Sequence, residues 1–152
     1  AGFELMQLQL SDEQFKELVF LAMIGEYVRG GVLDSWGEYD PAKHNALMEY
    51  LLEQAYQAGR TDLVERFEGH LVPSDALSDA EDELMAEYND DEFWSELSSR
   101  LGRRDFEASM TADEKREAEV KGWLPERVYE FYEKYEKEFE EYGVDRLGII
   151  EG

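Results

Sequence analysis

LSDAEDELMAEYNDDEFWSEL, residues 77–97, carries nine carboxylates and no lysine or arginine. Ser78 reads as a helix start, after which Ala80, Leu84 and Tyr88 recur at i, i+4 and i+8 with Met85 beside them. Asn89-Asp90 reads as a break that caps a second helix, in which Phe93, Trp94, Leu97 and Leu101 line one face and Gly102 supplies the stop. Asp79, Glu81, Asp82, Glu83 and Glu87 all fall off the apolar stripe. The stretch is therefore expected to form two short amphipathic helices with an outward row of acids.

Similar units are expected on either side. Ser11 with Gln14 has capping-box spacing, and the helix that follows, apolar on most of its circumference from Phe15 to Val28, reads as a central buried helix ended by Gly30-Gly31. Asp40-Pro41 opens a second helix running to about Ala58, with Leu47, Tyr50, Leu51, Ala55 and Ala58 inward and Gly59 as its stop. Thr61 caps a short third helix holding Leu63, Val64 and Phe67. Thr111 with Glu114 is another capping box, starting a polar helix that ends near Gly122. The last helix opens after Leu124-Pro125 and stops at Gly143, with Val128, Tyr132, Tyr135, Phe139 and Tyr142 spaced by four and three. The expected fold is all-α: a single compact domain over residues 1–152, an irregular bundle of about six or seven helices. Residues 1–10 form an extended lead-in and residues 68–77 a loop between two helical halves.

Composition narrows the function classes. A chain of 152 residues with 43% hydrophobic content can bury roughly two-thirds of its unfolded surface in one core. There are no cysteines, which excludes disulfides, thiolate metal sites and cysteine nucleophiles. No apolar run approaches the roughly 20 residues of a membrane span, and no basic segment precedes an apolar one at the start, so a cytoplasmic, membrane-free protein is expected. A formal charge of −23 opposes direct binding to nucleic acid, which requires lysine and arginine to displace phosphate counterions.

The motifs of common chemistries are missing. His44 and His70 are the only histidines, and neither has the i, i+4 partner of a helical metal pair nor a glutamate three residues before it. Phosphate-binding glycine loops, a nucleophile elbow and an EF-hand register are all absent from the sequence. No catalytic residue, metal ligand or cofactor is assigned. Two surfaces remain as candidates. One is an acidic partner-binding face formed by Asp79, Glu83, Glu87, Asp90, Asp91 and Glu92. The other is an aromatic interface, for a second copy or a partner helix, formed by Tyr132, Tyr135, Phe139 and Tyr142. Arg100, Arg103 and Arg104 are expected to pair with nearby carboxylates and hold the two acidic helices together.

The opening Leu10 to Phe15, with Phe93-Trp94-x-Glu96-Leu97-x-x-Arg100-Leu101-x-x-Arg104-Asp105, resembles a family of small acidic bacterial proteins. The resemblance implies a bacterial cytoplasmic origin and brings no catalytic residue, cofactor or substrate. The expected function is a non-enzymatic acidic protein that works through a basic protein partner or as a homo-oligomer. The alternatives are a carboxylate- or metal-dependent hydrolase and a nucleic-acid mimic that inhibits a DNA-binding protein.

Overall fold

The computed structural model describes residues 6–150. As expected, these are mainly helical, with six helices; one small two-stranded sheet, which the all-α reading did not include, accompanies them. The first part of the lead-in lies outside the described residues; residues 6–10 are exposed and without regular structure. The chain forms two compact units, Ala1–Ala86 and Glu87–Gly152.

The first unit begins with α1, Asp12–Ser35. Ser11 Oγ accepts the Gln14 N–H at 3.2 Å while Gln14 Oε1 accepts the Ser11 N–H at 2.9 Å, the reciprocal cap the sequence announced. Gly30-Gly31 does not end the helix, which runs on to Trp36 as its C-cap. Two helical glycines cost about 1 kcal/mol each, too little to stop a helix held on both sides, and a Cβ at Gly30 would meet the Tyr39 ring at 3.5 Å. Nor is α1 central: Val19 and Met23 are buried, but Leu21, Tyr27, Val28 and Val32 are exposed.

The expected helix from Pro41 to Ala58 is two. A single turn, α2 (Pro41–His44), capped by Asp40, is followed at Asn45 by α3 (Ala46–Gln57). Asn45 Oδ1 accepts the Tyr39 hydroxyl at 2.6 Å, and His44 Nδ1 accepts the Asp40 N–H at 3.0 Å. These local bonds hold the bend and give His44 a capping role. Leu51, Leu52 and Ala55 are buried, whereas Leu47, Tyr50 and Ala58, expected inward, face outward.

The third helix is not formed. β1 (Val64–Phe67) and β2 (His70–Pro73) make an antiparallel hairpin in which Val64 pairs with Pro73 and Phe67 with His70. The two loop residues, Glu68 and Gly69, both have positive φ (49° and 86°), as a type I′ turn demands. Leu63, Val64 and Phe67 share helical spacing, and that misled the pattern. The expected loop over residues 68–77 accordingly holds a turn, strand β2 and the start of the next helix. Val19, Met23, Leu51, Leu52, Ala55, Leu63, Val64 and Leu77 close the core of this unit.

The fourth helix, α4, is continuous over Asp75–Ser109, 35 residues and so about 52 Å. It passes through the boundary between the units. It starts at Ser74 rather than Ser78: Ser74 Oγ accepts the Leu77 N–H at 3.3 Å and donates to the Asp62 carbonyl at 2.8 Å. Asn89-Asp90 is no break, because each residue costs at most about 0.7 kcal/mol inside a helix. The apolar positions on either side of it are out of register, so the pattern looks like two helices. Leu84, Tyr88 and Phe93, expected as anchors, are exposed.

Gly102 does not stop α4 either; it is a buried contact point in the second unit, against α6 (Val128–Tyr142). A Cβ there would lie 2.7 Å from Tyr132 Cδ1 and 3.0 Å from the Phe131 backbone carbonyl. Phe106, fully buried, packs edge-on against Phe131 at 5.6 Å. Between them, α5 (Ala112–Lys121) has the expected Thr111–Glu114 capping box and ends at left-handed Gly122.

Glu114 does more than cap. Arg127 grips it with Nε to Oε1 at 2.7 Å and Nη2 to Oε2 at 2.9 Å, while the guanidinium lies over the Phe106 and Phe131 rings. Arg127 first, then the Thr111 N–H, holds the Glu114 carboxyl down to about 2. The folded value lies below the ordinary 4.5, so the stabilisation is complete above about 4.5 and is lost as pH falls towards about 2. The melting-temperature gap between the parent and Glu114→Gln is therefore expected to shrink over that window. A gap that stays constant from neutral pH down to 2 would contradict the assignment.

Candidate functional site

All six acids of the expected partner-binding face are exposed, but the continuous helix sorts them. At about 100° per residue, Asp79, Glu83, Glu87 and Asp90 fall within an arc of about 80°, Asp91 lies on its flank, and Glu92 points to the other side. Glu81 and Asp82 scatter over that other side too. What the helix brings together is thus one row of four carboxylates, with no second parallel row.

Among the described residues, no carboxylate from position 75 to 92 belongs to an ion pair. Immediately afterwards the helix neutralises itself. Arg100 pairs with Glu96 at 2.8 Å, Arg103 with Glu107 at 2.7 Å and Arg104 with Asp105 at 2.7 Å. The arginine cluster therefore pairs with nearby carboxylates as expected, but all of them belong to its own continuous helix, so it does not hold two acidic helices together, and none of it reaches back to the acidic half.

The aromatic stripe of α6 is placed by α4. Phe139 is buried, with its ring 5.6 Å from Trp94 and 5.8 Å from Tyr135. Tyr132 lies over Gly102. The Tyr135 hydroxyl donates to Asp105, which Tyr135 and then Arg104 hold below the usual carboxylate range. Tyr142, more exposed, stacks on the Arg146 guanidinium at 4.2 Å. Tyr132, Tyr135 and Phe139 are thereby engaged within the second unit, and Tyr142 is the surface end of the stripe.

Between these two helices lies a groove of about 570 Å³ lined by Asp91, Trp94, Ser95, Ser98, Glu136, Phe139 and Glu140. The sequence missed it. Trp94–Ser98 and Glu136–Glu140 are each i, i+4 pairs, but only the packing of α6 on α4 sets them opposite one another. A second groove of about 680 Å³, in the first unit, mixes Glu53 and Glu65 with Arg60 and Arg66. Its cations are engaged: Arg60 binds Asp62 at 2.9 Å, and Arg66 covers the Tyr56 ring at 4.8 Å.

Chemistry that needs a retuned carboxylate finds little support in these grooves. Glu81 is raised by burial and by the neighbouring Asp82, yet it lines neither of them. Among the described residues no group of three or more histidines and carboxylates is placed to hold a metal ion, and no helix is long and apolar enough to cross a membrane. No known protein family, curated protein or solved structure matches the chain.

Proposed function

We propose that this chain is a non-enzymatic interaction protein of the bacterial cytoplasm that binds a basic protein through the acidic row of α4. The observation that carries the reading is the uneven neutralisation of that helix, whose first half has no ion pair while its second half is laced with them. Unpaired carboxylates along one face attract a basic surface over about a Debye length, roughly 10 Å at 0.1 M salt. A stability role would instead favour pairing them. Mimicry of nucleic acid calls for a second row at phosphate-like spacing, and a hydrolase for a carboxylate retuned inside a groove; the row on α4 serves neither.

Neutralising the row with Asp79→Asn, Glu83→Gln, Glu87→Gln and Asp90→Asn tests this. The immobilised chain is expected to retain basic proteins at low salt and release them as salt rises, and the quadruple variant to lose about tenfold or more of that retention. Glu17→Gln, Glu38→Gln, Glu119→Gln and Glu126→Gln change the charge equally on exposed positions elsewhere. Equal losses in the two variants would reject α4 as the binding face. Self-association is a second reading, favoured by the exposed Leu21, Val28 and Val32 of α1, which share a face at i, i+7 and i+11; light scattering of the intact chain distinguishes it.

A further inference from the structure

We propose that the groove between α4 and α6 is a socket for one lysine or arginine side chain of the basic partner. This rests on the reading above and localises it within the second unit. A long cationic side chain has two needs: an apolar surface for its stem and carboxylates for its head. The groove offers both. Trp94 and Phe139 form its apolar floor, and Asp91 faces it from α4 while Glu136 and Glu140, one turn apart, face it from α6. An indole is the best aromatic partner for a cation.

Two further features fit a missing guest. Ser98, only 2% exposed, lines the groove. An ammonium or guanidinium group seated in the groove could donate to this hydroxyl. Among the described residues, no lysine or arginine lines the groove. The basic residues nearest in sequence on α6 are directed elsewhere, Lys137 to Glu133 and Lys134 to Asp105, both at 3.7 Å.

A peptide, rather than a free small cation, is the occupant because the carboxylate track does not end at the groove. Glu87 lies one turn before Asp91 on the same side of α4, and Asp90 beside it, both exposed and unpaired among the described residues. A chain that seats one basic residue over Trp94 would lay its neighbours along that track. The volume, within the roughly 300–1,000 Å³ of small-ligand sites, leaves room for the side chain and the backbone that carries it.

The test is fluorescence anisotropy of the full chain with a labelled peptide of repeated Lys-Gly-Ser at low and moderate salt. Glu136→Gln with Glu140→Gln is expected to weaken binding about tenfold or more, and Glu119→Gln with Glu126→Gln, which alters the charge equally, less than about twofold. Peptide with acetylated lysines is expected not to bind. In a Trp36→Phe, Trp123→Phe background, Trp94 is the sole indole, and its emission is expected to shift on peptide addition. Equal weakening in the two glutamine pairs, or an unmoved Trp94 emission, would overturn the socket while leaving the acidic interaction reading standing. Spermidine binding more tightly than the peptide would overturn the peptide as occupant. No binding by the parent chain at any salt would overturn both readings.

Discussion

Phe106→Ala is expected to lower the stability of the second unit by about 3–5 kcal/mol. The ring is wholly buried and has two close partners: it meets Phe131 of α6 edge-on at 5.6 Å, and the Arg127 guanidinium rests on it at 4.9 Å. Truncation leaves a cavity that α6 cannot close without moving, because Gly102 already brings the two backbones together only one turn away. It also removes the surface on which Arg127 is laid before it reaches Glu114. Urea unfolding followed by tryptophan emission checks the size of the loss. A cost under about 1 kcal/mol would mean that the cavity collapses and that this aromatic cluster is not the centre of the unit.

Gly102→Ala is expected to destabilise by about 1–3 kcal/mol, although alanine is the better helix former by about 1 kcal/mol. The added methyl would meet Tyr132 Cδ1 at 2.7 Å, which a turn of the ring relieves, and the Phe131 carbonyl carbon and oxygen at 3.0 Å, which no rotamer relieves. The helices must separate. Gly25→Ala in α1 is the matched contrast: it too lies inside a helix, but a Cβ there meets nothing within 4 Å, so the same substitution is expected to stabilise by about 0.5–1 kcal/mol. Opposite signs at the two glycines in thermal melts would show that contact, not propensity, placed the first. A stabilised Gly102→Ala would overturn the close approach.

Helix ends were the most legible part of this chain, because caps are local chemistry. Ser11 with Gln14, Thr111 with Glu114, Asp40 before Pro41, and Gly59, Gly122 and Gly143 all do what their types predict. Helix interiors were read less well. Gly30-Gly31, Asn89-Asp90 and Gly102 are weak helix formers, yet each weakness is worth about 1 kcal/mol or less per residue, too little to end a helix that continues on both sides, and at Gly102 packing favours the weakness. Gly102 shows how: its lack of a side chain is what lets α6 come near. The hairpin was hidden for another reason. Glu68-Gly69 lacks the asparagine or aspartate that usually marks a type I′ turn, and Val64 with Phe67 imitated a helical repeat. The groove could not be read at all, since Glu136 and Glu140 look like solvated residues until α4 is laid beside them.

The hairpin also carries open strand edges, where strands from other chains could add. A two-stranded sheet has two open edges, each a template on which another chain could add a strand, and Phe67 stands exposed on one of them. Three features blunt that template. The strands are four residues long, Glu65 and Arg66 put charge in the middle of β1, and Pro73, at the end of β2, has no N–H to offer an incoming strand. Among the described residues, the hairpin is the one place where open strand edges must be guarded against backbone pairing.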